Sequence, residues 1–387
     1  MIHSQFKGLS PSALLQAGCR SVLCFVLVCV LTSATSCSDD DKTSVPTLNG
    51  YIVSYNDYGA AIMDFTEADM TEAGFTLGDV ISMTIDGMEI VMPYYDGYYT
   101  KNGEYVCVAL ASYPGICFTA NNTGLPPELT GLEGHAVIVK MVEKGGSLDV
   151  QEALSMTYTN NREDYPYLSD AEYANARAVK AGNIANGVLH RSSSPFSNGS
   201  NRAFYVADYL EQEKVVTVLD LADTEEKMLS YDMPPYSRTL WEGGNVILCP
   251  LKTDPTADEY NDQLIAALKE LPSRPAPYVV HCMEGKDRTG YVCALLEGLC
   301  GATYEEIAND YLITYYNYYH VSPTTDPDEC NTMLSLRLNP CLMFYANVTD
   351  EAQLPNVDYA KAFSAYLLAH GMNQQQLNAL IQALTQQ

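Results

Sequence analysis

The sequence predicts a mixed α/β chain: a small β-rich unit, then a central sheet flanked by helices, then a set of closing helices. Three observations carry this. Between Asn49 and about Asp149, short β-branched and aromatic runs alternate with turn signals. From Val188 onward the β-branched runs alternate with helical patterns instead, the mark of strands joined through helices. At Tyr278–Leu299 an apolar run, a polar loop containing glycine and a helical pattern follow one another directly, giving a strand–loop–helix junction.

The first segment stands outside the fold. Lys7 and Arg20 precede the apolar run Val22–Leu31, which is a secretory signal layout with a run too short for a comfortable membrane span. The small residues Thr32-Ser33-Ala34-Thr35-Ser36 before Cys37 resemble a lipobox, which implies cleavage ahead of Cys37, its acylation, and stable membrane anchoring without a spanning helix. Ser38-Asp39-Asp40-Asp41 is similar to an acidic tag that sends lipoproteins of some Gram-negative anaerobes to the cell surface, and reads equally as a solvated linker. The expected organisation is a signal peptide over 1–36, an acidic tether over 37–48, a β-rich unit over 49–155 and a second unit over 156–387. The expected location is outside the cytoplasm, lipid-anchored to the outer membrane.

A length of 387 residues suggests two folded units, and a formal charge of −27 argues against nucleic acid and anionic lipid surfaces as partners, since both require basic patches. The 29 tyrosines read as filling for half-buried sheet faces and helix interfaces. Beyond the signal and Cys37 there are eight cysteines. Cys249, Cys293 and Cys300 read as small buried hydrophobes, while Cys107–Cys117 and Cys330–Cys341 have spacings open to loop-closing bridges.

In the β-rich unit the expected strands are Tyr51–Tyr55, Val80–Ile85, Glu89–Met92, Tyr105–Leu110, Ile116–Thr119 and His135–Val142, with turns at Asp86-Gly87 and Asp96-Gly97. Tyr94–Tyr99 reads as a hairpin with aromatic cross-strand pairs rather than a ligand-stacking loop. The unit shows no constellation that carries chemistry. In the second unit Val188-Leu189 opens a strand that runs into His190-Arg191-Ser192; Arg202–Glu213 reads as a helix, Val215–Leu219 and Asn245–Leu251 as strands, and Leu264–Leu271 as amphipathic. After the junction come the helix Tyr291–Leu299, a tyrosine-rich helix over Tyr304–Tyr319 whose aromatic stripe reads as core, and a closing pair, Asp358–His370 and Asn373–Thr385.

The junction loop carries the chemistry. Its residues Met283, Glu284, Gly285, Lys286, Asp287 and Arg288 can turn their main-chain N–H groups onto one tetrahedral anion, because a helix start offers unpaired donors and Gly285 allows a close turn. The same field favours Cys282 as a thiolate nucleophile. Arg288 offers a planar fork for two phosphoryl oxygens, and Thr289 has a hydroxyl to donate to the sulfur when it leaves.

His281-Cys282-Met283-Glu284-Gly285-Lys286-Asp287-Arg288-Thr289-Gly290 resembles the signature of the cysteine-dependent protein tyrosine phosphatase superfamily, and in its fuller form the atypical bacterial tyrosine and dual-specificity phosphatases. The resemblance covers about Asn175 to Tyr319. It implies hydrolysis of phosphotyrosine, and of phosphoserine and phosphothreonine, through a cysteinyl-phosphate, with phosphoinositides or inositol phosphates as alternative substrates. A phospho-ligand binding pseudophosphatase is the reading from another class; the thiol argues against it, because a binder needs only the donors. Neither a cofactor nor a metal is expected, because no cluster of His, Asp and Cys has metal-ligand spacing.

Two-step transfer also needs a carboxylic acid to protonate the departing oxygen. Asp254, in the loop after the strand Asn245–Leu251, occupies the place of the superfamily's mobile acid loop, although the Trp-Pro-Asp form is absent. Asp287 inside the phosphate loop is its rival, followed by Asp220 and Asp223 at the end of another strand. His281 reads as a brace for the cysteine. Arg191 is left between reaching the phosphate and pairing with a carboxylate, and Lys286 between selecting multiply phosphorylated substrates and pairing with a neighbouring acid.

Overall fold

Seven short strands of the N-terminal unit remove their exposed edges by closing on one another. The computed structural model describes residues 45–386 except residue 57, and these divide after Ser155 into two compact units. The expected signal, Cys37 and most of the tether lie outside the described residues. The first unit contains β1 (Thr47–Tyr55), β2 (Ala61–Met63), β3 (Val80–Ile85), β4 (Met88–Tyr95), β5 (Tyr105–Val108), β6 (Cys117–Ala120) and β7 (Ala136–Glu143), in the closed order β1-β2-β6-β5-β4-β3-β7. Period-two alternation turns Ile81, Met83 and Ile85 of β3 and Val137 and Val139 of β7 inward, onto Phe75 and Phe118. Asp86 and Gly87 both take positive φ, 50° and 82°, and close the β3–β4 hairpin in two residues.

Two expectations for this unit need correction. The strand β2 has only three residues, too few for a periodic pattern to register, and was not anticipated. Tyr94–Tyr99 is not a hairpin, because β4 pairs with β5 in parallel, Tyr94 opposite Cys107. The chain must therefore cross over after Tyr95, and Asp96 is fixed at that point by Ser155 Oγ, which donates to its carboxylate at 2.5 Å. The eight described cysteines are all free and buried. Cys107 packs into the barrel core while Cys117 joins a second cluster with Ile62 and Val106, so the two point to opposite faces of the sheet and cannot bridge.

The second unit is built on β8 (Arg177–Ala178), β9 (Leu189–Ser192), β10 (Thr217–Asp220), β11 (Val246–Leu248) and β12 (Tyr278–His281), in the order β11-β10-β12-β9-β8. All neighbouring pairs are parallel except β8–β9. The central strand, β12, is buried along its whole length, as a parallel strand covered by helices on both faces must be. The helix after it begins at Asp287, four residues before the expected Tyr291, because the junction loop runs into the first turn without a linker. Tyr304–Tyr319 forms the expected helix, opened by a reciprocal capping box between Thr303 and Glu306 and closed by His320 in a left-handed conformation. Beyond it, Pro327–Met333 continues through a π turn at Leu334–Leu338 into Asn339–Ala346, a segment whose helicity was not anticipated; the closing pair forms at Tyr359–Ala369 and Gln374–Thr385.

Candidate active site

The loop Cys282–Arg288 joins β12 to the helix Asp287–Leu299 at the C-terminal end of the sheet. Its shape is set by what receives its carbonyls. Met283 O accepts from the Ser194 N–H at 3.1 Å; Glu284 O accepts from Asn175 Nδ2 at 3.1 Å and the Tyr318 hydroxyl at 2.9 Å. Gly285 O accepts from Asn175 Nδ2 at 3.1 Å and Arg191 Nη2 at 3.0 Å. In a planar trans peptide the carbonyl and the next N–H point in opposite directions. Three consecutive carbonyls tied outward therefore turn the N–H groups of Glu284, Gly285 and Lys286 into the loop.

The helix adds its own unpaired first-turn donors, since its first bond is Gly290 N–H to Lys286 O at 2.8 Å. Gly285 has φ +69°, and a Cβ there would lie 2.2 Å from Ser192 O and 2.8 Å from Ser193 N. Only glycine fits.

Cys282, which opens this loop directly after β12, is buried. Arg288 is half-buried, and its Nη1 donates to Leu221 O at 3.0 Å and Leu251 O at 3.2 Å, the carbonyls that follow β10 and β11. Two neighbouring strand ends thus hold the guanidinium. Thr289 is fully buried, and its hydroxyl has no hydrogen-bond partner among the described residues, so it is a donor held in reserve.

Behind Cys282, His281 is buried with Nδ1 at 3.3 Å from Cys282 O and Nε2 at 3.6 Å from Asp220 Oδ2. This approach is not an ion pair. Burial pushes the His281 imidazole down to about 4, and burial followed by the Asp223 charge pushes the Asp220 carboxyl up to about 8, so both are neutral near pH 7. Asp220 Oδ1 accepts from the Ala222 N–H at 2.8 Å and the Asp223 N–H at 3.1 Å, shaping the turn after β10. Asp223 is also buried and accepts from the Tyr231 hydroxyl at 2.8 Å.

The remaining predicted residues separate by role. Arg191 is fully buried and ion-pairs with Asp310 while donating to Gly285 O; it braces the loop from behind and serves its backbone, not the anion. Lys286 Nζ lies 3.0 Å from Glu284 Oε2, donates to the Tyr319 hydroxyl at 3.1 Å and stands 4.0 Å from Asp287 Oδ2. Glu284 also accepts from the Tyr158 hydroxyl at 2.6 Å; burial pushes its carboxyl up, but Lys286 and Tyr158 outweigh that and hold it below the ordinary range. Asp254 Oδ1 accepts from the Thr256 N–H at 2.9 Å and the Thr256 hydroxyl at 2.7 Å, in the turn before the helix Asp258–Glu270, three residues after the carbonyl of Leu251 that holds Arg288.

Sequence reasoning missed the outer supports: Ser194, Asp310, Asn317 and Tyr318. A signal for two of them, Asp310 and Asn317, was present. Asp310, Thr314 and Asn317 recur at helical spacing on an otherwise aromatic helix, and all three are buried.

Residues 172–386 match the model of the tyrosine phosphatase family. No curated protein matches the chain. Among solved structures, an uncharacterized conserved protein from Thermotoga maritima is similar at 12% identity over 29% of this chain and 42% of that one, with TM-score 0.23. The chain thus spans less than half of that protein's length. The core catalytic domain of the PP-IP phosphatase SIW14 from S. cerevisiae is similar at 16% identity over 44% of this chain and 95% of its own, with TM-score 0.25. TpbA from P. aeruginosa is similar at 18% identity over 55% and 96%, with TM-score 0.21.

Proposed function

The chain belongs to the tyrosine phosphatase family, and from that premise we propose that it hydrolyses phosphotyrosine through a covalent phosphate on Cys282, with phosphoserine and phosphothreonine open to the same chemistry. The thiolate attacks phosphorus as the bond to the leaving phenol oxygen breaks, and Asp254 gives that oxygen its proton. Water then attacks phosphorus, the S–P bond breaks, inorganic phosphate leaves and the proton returns to Asp254. Arg288 and the loop N–H groups hold the three equatorial oxygens through both steps.

The observation that carries this reading is the outward tethering of the Met283, Glu284 and Gly285 carbonyls. Such a ring of donors is what an oxyanion needs, and a thiol opening the loop adds what a mere binder does not. Exposure supports Asp254 over the buried Asp220 and Asp223, because an acid must reach a leaving group that lies outside the loop. Asp287, half-exposed at the helix start, is the alternative.

Charge pairing around the loop supports a monophosphate with an aromatic leaving group over an inositol polyphosphate or phosphoinositide. Lys286 is paired with Glu284, Arg177 and Arg191 with Asp310, and Arg202 is stacked between Tyr173 and Tyr318 at 4.0 and 4.2 Å. Arg288, held at Leu221 O and Leu251 O, is the cation this reading assigns to the phosphate. The test is turnover of p-nitrophenyl phosphate, phenyl phosphate, phosphopeptides and phosphoinositides by the mature protein. We expect Cys282→Ser to lose more than about a thousandfold, and Asp254→Asn to fail on phenyl phosphate more than on p-nitrophenyl phosphate, whose leaving group needs no proton. Binding without turnover by the wild type would make the protein a phospho-ligand binder. Export and anchoring through Cys37 to the outer membrane complete the proposal; labelled palmitate incorporated by the wild type and not by Cys37→Ala checks it.

A further inference from the structure

The tyrosine-rich helix Tyr304–Tyr319 meets the loop through the Tyr318 hydroxyl, which donates to Glu284 O at 2.9 Å, and the Tyr319 hydroxyl, which accepts from Lys286 at 3.1 Å. Asp310 on that helix is buried and receives two guanidinium groups: Arg191, and Arg177 through Nε at 2.9 Å. Each arginine passes the contact on. Arg191 Nη2 donates to Gly285 O at 3.0 Å. Arg177 Nη1 donates to Asn175 Oδ1 at 2.8 Å, and Asn175 Nδ2 donates to both Glu284 O and Gly285 O. Asn317, two turns beyond Asp310, holds the same Asn175 Oδ1 at 3.1 Å.

We infer that Asp310 is a positioning residue for phosphoryl transfer: through Arg191 and through Arg177–Asn175 it sets the planes of the Glu284–Gly285 and Gly285–Lys286 peptides, and so the aim of two cradle N–H groups. The inference rests on the phosphatase reading for its chemistry and on the loop geometry for everything else. A rotation of either peptide moves an N–H off the oxyanion, and misplacement of about 1 Å at a reacting centre costs on the order of a hundredfold in rate. One carboxylate serves both arms because each guanidinium is a rigid fork that spans an acceptor on either side, which a lysine's single head cannot do. Burial raises the Asp310 carboxyl, but Arg177 and Arg191 outweigh it and hold it below the ordinary carboxylate range; Glu297, in the same buried cluster, is pushed up by burial and then by Asp310. The arrangement is costly to bury; besides tying Arg177 to Asp310 O and Thr314 on the helix, it fixes the orientation of the loop.

Two variants test this. Arg191→Lys keeps a cation for Asp310 and removes the second donor to Gly285 O; Asp310→Asn keeps the shape and removes the charge. Both are compared with wild type for kcat per folded site and for orthovanadate affinity by calorimetry, because vanadate reports the cradle without requiring turnover. Positioning predicts that kcat falls about tenfold in Arg191→Lys and about a hundredfold in Asp310→Asn, with vanadate affinity falling in step. Should Asp310→Asn not fold, Arg191→Lys carries the test alone. A lower melting temperature with unchanged kcat and vanadate affinity overturns the inference and leaves the phosphatase reading standing. A wild type that binds vanadate but turns nothing over, with weaker binding in the variants, sinks the phosphatase reading and supports the positioning. No vanadate binding by the wild type overturns both.

Discussion

The two units fill their interiors in opposite ways. The barrel is closed around hydrocarbon and rings, with Ile52, Met63, Phe75, Ile81, Met83, Phe118 and Val139 at its centre. Among the described residues its one fully buried acid, Asp79, is satisfied at a strand end by the Thr76 N–H at 2.6 Å, the Gly145 N–H at 2.8 Å and Lys144 at 3.0 Å. The sheet unit instead buries Arg191, Arg202, Asp220, Asp223, His281 and Glu297, and leaves Arg191 Nε, Asp220 Oδ2, His281 Nε2 and Thr289 Oγ1 without a hydrogen-bond partner among the described residues. Burying polar and ionisable groups costs free energy that apolar packing would not, whether they stay charged or are held neutral. An interior that only has to hold together fills with side chains of the first kind; an interior that has to aim donors at a point accepts the second.

The sharpest way to break this comparison is at Gly285. An alanine there meets Ser192 O at 2.2 Å and sits at φ +69°, so the loop must deform. Gly285→Ala is expected to lower kcat/KM by a hundredfold or more while destabilising the protein by about 1–3 kcal/mol. Steady-state kinetics and thermal unfolding check it, and near-normal turnover would mean that the cradle tolerates re-aiming. In the barrel the corresponding change is Phe118→Ala, deep in the core and remote from any hydrogen bond of its ring. Its expected cost is about 3–5 kcal/mol of stability, through the lost transfer energy and the cavity left behind. A loss below about 1 kcal/mol by denaturant titration would show a loosely packed interior and erase the contrast.

The sequence made the parts legible that follow from local pattern or from a compact motif. The strand–loop–helix junction, Cys282, Gly285 and Arg288 were found because they lie within seven residues, and the helix Tyr304–Tyr319 because its period is long and its caps are standard. What stayed hidden depends on distance along the chain. Arg191 and Asp310 are 119 residues apart, and only the β9–β12 pairing and the helix beside it bring them together under Gly285. β2 stayed hidden because three residues carry no period, and the parallel β4–β5 pair because local turn signals at Asp96-Gly97 contradict it. Asp254 was placed by topology, and its bond to Thr256 could not be foreseen from a superfamily pattern that this chain lacks.

The smallest expected effect reads the cost of buried charge directly, at Asp220. Its carboxyl is raised from 3.8 to about 8, chiefly by burial and then by Asp223. Below about pH 4 both the folded and the unfolded chain carry this proton, and the contribution to stability is complete. Between about pH 4 and 8 the unfolded chain ionises while the folded chain does not, so folding must take up a proton and stability falls as pH rises. His281, lowered from 6.5 to about 4 by burial, acts with the opposite sign: its contribution is complete above 6.5 and is lost as pH falls toward 4. Asp220→Asn keeps the oxygen that accepts from Ala222 and Asp223 and removes the titration at this site, while the His281 term remains. The variant should therefore gain a few degrees in Tm relative to wild type at pH 8 and little at pH 5. An equal shift at both pH values would mean that Asp220 ionises in the folded state as it does in the unfolded one, and that this interior does not resist charge in the way the contrast with the barrel requires.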